Sequence, residues 1–295
     1  MAKAQYTRLE DRGVIAVTGE DRTAFLQGIV SNDMNKLAPE RSGYGAFLTP
    51  QGKYLFDFFM AIDGETLLIE GEAERLGDFI KRLSMYKLRA KVDLADASGR
   101  YAVHAAFGDG VAASLGLDET RGTSKQVDGG VAFVDPRLAA AGVRVLASPD
   151  KAKSLFAAAD MEPADPAGYD RHRLSLGLPD ASRDLVVDKA TLMESGFDEL
   201  GGIDWQKGCY MGQEVTARMK HRGLVKKRLM PVVIAGEAPE PGTDVTLDGR
   251  NVGEMRSASG DRGMALLKLD TLNADGDLEA GGAKLTPERP DWATF

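Results

Sequence analysis

Two hydrophobic rhythms divide this chain, and the change from one to the other constrains its fold more than any other feature. Up to Ala159, apolar runs of strand length are mixed irregularly with stretches of helical spacing. Val14 to Val17 reads as a strand. Asp21 then caps a helical stretch, Arg22 to Val30, with Phe25, Leu26 and Ile29 on one face. Gly45 to Thr49 and Tyr54 to Ile62 are joined by Pro50-Gln51-Gly52, a hairpin signature, and Thr66 to Glu70 follows an Asp63-Gly64 turn. Glu72 to Tyr86 sets Leu76, Phe79, Ile80 and Leu83 at helical spacing. Leu88 to Asp96, Tyr101 to Phe107, Gly130 to Val134 and Val143 to Ala147 read as further strands, with helices over Val111 to Leu117 and Asp150 to Ala159. After Pro231 only short strands remain, Val232 to Ile234, Val245 to Leu247, Asn251 to Met255 and Ala265 to Leu269, broken by Gly, Pro and Asp. The first rhythm predicts an α+β fold rather than a doubly wound parallel sheet, which would alternate strand and helix regularly. The second predicts a small β-barrel or sandwich. The expected division is an α+β region over residues 1–228, built of two interleaved subdomains, and a C-terminal barrel over 229–295.

Length agrees, since 295 residues suit about two domains. The longest stretch without Asp, Glu, Lys or Arg is Ser42 to Gly52, far short of the roughly 20 apolar residues a spanning helix needs, so no membrane partner is expected. Met1 to Val17 carries Glu10 and Asp11 and fits neither a secretory leader nor an acid-poor transit peptide, which reads as a bacterial-type, cytoplasmic protein. The lone Cys209 forbids an internal disulfide and a self-contained thiolate cluster, and His104, His172 and His221 lie at no metal-ligand spacing. No glycine-rich phosphate loop follows a strand. A net charge of −8 argues against a general nucleic-acid coat.

Against that acidic background, Trp205 to Met230 holds seven Lys or Arg and one acid, Glu214. For charge runs in general, a solvated helical face, here with Glu214 and Arg218 paired at i, i+4, is the more common account. Around Cys209, Gly208 and Gly212 permit tight backbone, a helix is expected from Gln213 to His221, and Lys207 stands close by. A cysteine so placed meets positive potential that favours thiolate. A buried, inert thiol remains the competing account.

The run Lys207-Gly208-Cys209-Tyr210-Met211-Gly212-Gln213-Glu214 resembles the K-G-C-[FY]-x-G-Q-E signature of the YgfZ-type folate-binding proteins, relatives of the glycine-cleavage T-protein, an aminomethyltransferase. Ala217 to Gly223 and Lys227 to Leu229 resemble the mitochondrial Iba57 branch in particular. Phe25-Leu26-Gln27-Gly28-Ile29-Val30-Ser31-Asn32-Asp33 is similar to that family's opening, Met85 to Val92 to the stretch after its first long helix, and Arg173, Gly177 and Pro179 to its R-x-x-x-G-x-P. The resemblance implies a three-part ring around a tetrahydrofolate channel, with the barrel at the C-terminus and a role in maturing 4Fe–4S proteins. It implies Cys209 and Asp57 as reactive residues, Asp57 falling at the transferase's catalytic aspartate. Folate would be held by Asn32, Tyr86, Glu194, Trp205, Lys207, Tyr210, Gln213 and Arg218, and the partners would be iron–sulfur assembly proteins of the A-type carrier class, with tRNA as a further candidate. Residue types agree: aromatic walls suit a flat pterin, carboxylates its polar edge, cations a glutamate tail. Any single aromatic is more often core, while Asp57 reads equally as the solvent-facing residue between Phe56 and Phe58. One departure stands out. Ser175 occupies the place of a folate-binding glutamate of the transferase, which weakens aminomethyl transfer as the activity.

Overall fold

A computed structural model describes residues 3–273 and 276–295. The chain forms two compact units. One comprises the N-terminal residues through Leu48, Leu55–Pro166 and Leu200–Met211; the other comprises Thr49–Tyr54, Ala167–Glu199 and Gly212–Phe295.

The first unit holds two mixed sheets. In the five-stranded one the order is Gly43–Leu48, Tyr54–Asp63, Thr66–Glu72, Arg12–Thr18, Asp93–Asp96. Tyr54–Asp63 lies second from the edge and is buried through eight consecutive residues, because both of its faces are covered. Phe56 and Phe58 meet Phe79 of the helix Leu76–Ser84, Phe56 stacking on it at 4.4 Å. Phe59, on the opposite face, meets Phe133 at 6.4 Å. Phe133 belongs to the strand Gly130–Val134 of the six-stranded sheet, which also includes Ala102–Phe107 and Val143–Ala147. Two sheets and a helix thus make one layered core.

The strand expected over Leu88 to Asp96 forms only at Asp93–Asp96, which pairs with Ile15 to Thr18. Leu88 has φ of 44°, and Ala90 N donates to Lys87 O, so 88–92 is a turn. The alternation Leu88, Ala90, Val92 imitates a half-buried strand but joins no sheet among the described residues.

In the second unit, six strands close into a barrel: Lys227–Ala235, Asp244–Leu247, Arg250–Ser259, Arg262–Lys268, Leu278–Ala280 and Ala283–Pro287. Met230, Val232, Val245, Met255, Leu267 and Leu285 fill it, the alternate inward positions expected of a small barrel. Arg173 explains why the helix Pro166–Ser175 and the barrel belong together. Its buried guanidinium donates to Asp170 and Ser257, the latter at 2.9 Å, and pairs with Asp184.

Candidate functional site

Cys209 is exposed, at the tip of a loop whose flanks are fixed. Gly208 has φ of 91° and open space where a Cβ would stand, so a glycine permits the turn that presents the thiol. On one side, Lys207 Nζ donates to the carbonyls of Gln27, Val30 and Asn32 at 2.7, 2.6 and 2.8 Å, while Gln27 Nε2 donates to Lys207 O. On the other, Met211 N donates to Gly28 O. Further back, Asp204 N donates to Ser31 O and Ser31 Oγ to Gly202 O. The segment Gln27 to Asn32 is therefore the cradle of the cysteine loop. Two stretches about 180 residues apart in sequence are one structural device.

Lys207 spends all three of its N–H donors on that cradle and also lies 5.3 Å from the ring of the buried Tyr210. Burial pushes its ammonium down to about 8, against the opposing charges of Asp33 and Asp204. Asn32 is likewise consumed: its amide donates to Tyr44 O and Gly201 O at 2.6 and 2.8 Å, and its oxygen accepts from Asp33 N. Both residues build the site rather than face a ligand.

Asp57 does not face solvent. It is 3% exposed and accepts a hydrogen bond of 2.9 Å from the Tyr44 hydroxyl. Burial, reinforced by the charge of Asp57, raises the Tyr44 hydroxyl well above its ordinary pKa, so it stays a donor. Tyr44 thereby links Asp57 to Asn32, and through Asn32 O to Lys207. Nearby runs a buried ionic ladder. Glu70 accepts from Arg12 Nε at 2.6 Å and from Arg144 Nη1 at 2.9 Å, and Asp135 accepts from Arg137 Nη2 at 2.9 Å. Arg144 and Arg137 lie 3.8 and 4.7 Å from the centre of the Phe59 ring. Desolvation, the largest single influence, would raise the Asp135 carboxyl, but the charges and hydrogen bonds of Arg137 together with the charge of Arg144 hold the group below the usual carboxylate range. Sequence reading missed this ladder. Its signal was a charge inside each apolar run, Glu70 after Leu67 to Ile69 and Arg144 between Val143 and Val145.

Tyr86 and Trp205 are 39% and 38% exposed, and the Tyr86 ring meets Phe47 edge-on at 6.0 Å. The remaining expected residues belong to the second unit. Glu194 accepts from Thr191 Oγ1 at 2.8 Å and lines a cavity of about 530 Å³ with Lys189, Lys226, Lys227 and Arg256. Gln213 opens the helix Gln213–Arg222, four residues after the thiol. Arg218, on that helix, is exposed and, among the described residues, forms no ion pair with Glu214 or any other acid. The basic run as a whole is not an open face: Lys220 pairs with Asp198, and Arg228, 4% exposed, pairs with Glu199. Ser175 is exposed, its hydroxyl turned onto His172 O. Among the described residues, no group of three or more His, Cys, Asp or Glu side chains could hold a metal ion.

A family profile described as "CAF17, C-terminal beta-barrel domain" matches residues 226–295. The chain is 33% identical over 255 residues to the mitochondrial iron–sulfur cluster assembly factor IBA57 homolog of Neurospora crassa, a match covering 81% of this chain and 56% of that longer protein. It is 31% identical to the mitochondrial iron–sulfur cluster assembly factor IBA57 of Mus musculus, covering 97% of this chain and 84% of the relative. A crystal structure of the glycine cleavage system aminomethyltransferase T from Bartonella henselae superimposes with a TM-score of 0.79 at 15% identity, covering 99% of this chain and 87% of that one, so the two share a fold. These matches overturn the cytoplasmic expectation: the relatives are named as mitochondrial proteins and point to the mitochondrion.

Proposed function

Because the chain belongs to the Iba57 family of iron–sulfur cluster assembly factors, we propose that it is a folate-binding accessory factor for assembly or repair of 4Fe–4S proteins, with Cys209 as its reactive group. The observation that carries this reading is the exposed thiol on a loop pinned at both flanks. A thiol presented this way can ligate iron, releasing its proton to solvent, only as one member of a larger ligand set. This chain gathers no such set among the described residues, so the other ligands come from a partner, which favours iron–sulfur assembly proteins of the A-type carrier class. In this reading residues 1–228 carry folate and 229–295 supply the barrel.

The donor set suits a folate with fewer residues than the sequence suggested. Tyr86 and Trp205 of the first unit offer partly exposed aromatic faces, and Asp57 of the same unit a carboxylate; Glu194 and Arg218 lie in the second unit. Lys207 and Asn32 are excluded, since their donors are already committed. When bound, tetrahydrofolate would supply a one-carbon carrier. A second reading, tetrahydrofolate-dependent aminomethyl transfer, is favoured by the burial of Asp57 and disfavoured by Ser175, whose neutral hydroxyl cannot give a carboxylate's charge-assisted bond. Folate-dependent formaldehyde release from methylated amines is its assay.

The test of the main reading has two arms. Cys209→Ser should melt like the parent yet fail to rescue a strain deficient in 4Fe–4S enzymes; full rescue removes the thiol from the function. Tetrahydrofolate should change the fluorescence of Trp205 by perturbing its half-exposed ring. A flat titration up to about 1 mM removes folate.

A further inference from the structure

The turn after the helix Leu76–Ser84 exposes side chains that a folded chain ordinarily covers. Leu88 is 91% exposed and Met85 61%. Leu88 also adopts a left-handed backbone, φ 44°, which is strained for a branched residue and turns the side chain outward instead of onto the core. The same stretch is cationic: from Lys81 to Lys91 there are five Lys or Arg and no acid, in a chain of net charge −8. Arg82, Lys87 and Lys91 are tied to Asp78, Asp93 and Glu20, whereas Lys81 and Arg89 form no ion pair among the described residues.

This turn is coupled to the cysteine loop by two short routes. Asp21 Oδ2 accepts from Lys91 N at 2.8 Å, and the helix Arg22–Gln27 that follows ends on Gln27, which holds Lys207. Six residues of helix are only about 9 Å long. The other route passes from Tyr86 to Phe47, from Phe47 across a β-bridge to Val30, and from Val30 O to Lys207 Nζ.

We infer that Met85 to Lys91 is the docking surface for an acidic protein partner, placed so that a bound partner meets Cys209; the second clause rests on the functional reading above. Leu88 and Met85 enter an apolar pocket on the partner, and Lys81 and Arg89 meet its carboxylates. Charge complementarity selects the acidic partner, and the carboxylates of Asp78, Asp93 and Glu20 among these cations, in a chain of net charge −8, favour a protein over a phosphate backbone. Asp78, Asp93 and Glu20, set among the cations, would face an anionic bilayer unfavourably, whereas a protein face can match both signs.

The test places a photo-crosslinking p-benzoylphenylalanine at position 88 of the full chain in cells, with the exposed Glu119 position as control, and then titrates the purified chain with the purified protein that is captured. Adducts should concentrate on an acidic segment of one protein. Met85→Ser with Leu88→Ser should weaken its affinity at least about tenfold. Arg89→Glu should weaken it more at low salt than at high salt. Adducts to lipid or RNA, adducts no stronger than at Glu119, or affinities within about twofold of the parent for these variants overturn the proposal. The two readings fail separately. A captured protein with no part in iron–sulfur assembly, released by the loop variants, leaves the docking surface standing and sinks the functional reading; an assembly protein bound equally well by the loop variants does the reverse.

Discussion

Lys207 shows how one side chain can be written into a motif for its geometry. A charge beside a cysteine invites an electrostatic explanation, yet its ammonium is occupied by three carbonyls of Gln27, Val30 and Asn32. Hydrogen bonds from a charged donor contribute about 1.5–3 kcal/mol each at most, less after desolvation. Lys207→Met should therefore destabilise the chain by about 2–3 kcal/mol in denaturant unfolding. It should also speed amide hydrogen exchange at Asp204 and Met211, whose N–H groups pin the two sides of the loop. Lys207→Arg restores the charge but not the compact three-donor head and should recover only part of the protection. Unchanged exchange in Lys207→Met would mean that the loop holds itself. Residue identities drew attention to this loop but not to what its side chains touch. Asn32 and Lys207 resemble ligand contacts because their partners are backbone carbonyls, which leave no trace in residue identities. Asp57 stayed open between a solvent-facing and an inward role because two-residue alternation cannot show that a second sheet covers the other face.

Elements were legible wherever one face decides their fate. Leu76, Phe79 and Leu83 announced a helix, and Gly130 to Val134 with Val143 to Ala147 form the antiparallel pair that their apolar runs suggest. The interface between the two sheets was not legible, since it is built on charge. Arg12 comes from the strand Arg12–Thr18, Glu70 from Thr66–Glu72 and Arg144 from Val143–Ala147, so one carboxylate joins both sheets. Removing one partner of such a group leaves buried charge uncompensated, at a cost of about 3–5 kcal/mol. Glu70→Gln keeps the shape but turns one carboxylate oxygen into an N–H donor and removes the negative charge shared by Arg12 and Arg144, of which Arg144 retains Asp135 at 3.6 Å. We expect its denaturation midpoint to fall accordingly at unchanged m-value; a loss under about 1 kcal/mol would show that the arginines find other acceptors.

At the scale of the molecule, contiguity in sequence misled most. The stretch Lys207 to Glu214 reads as one motif, yet the compact units divide between Met211 and Gly212, and the Thr49–Tyr54 turn belongs with residues far beyond it. Whole-chain stability adds a pH dependence that few groups can supply. His104 lies buried on the strand Ala102–Phe107, 5.6 Å from Phe156, and burial, then the charge of Arg8, lowers its pKa from 6.5 to about 4. The folded chain thus keeps this ring neutral where the unfolded chain protonates it. Its contribution is present in full above pH 6.5 and is lost as pH falls toward 4, reaching about 2 kcal/mol by pH 5. Asp135, whose carboxyl is held below its usual range, loses its contribution only at lower pH. The interval from pH 6.5 to 5 therefore lies where His104 contributes and Asp135 does not. The thermal midpoint should drop by several degrees across that interval in the parent chain and much less in His104→Leu. Equal slopes in the two proteins would assign the acid sensitivity to another group.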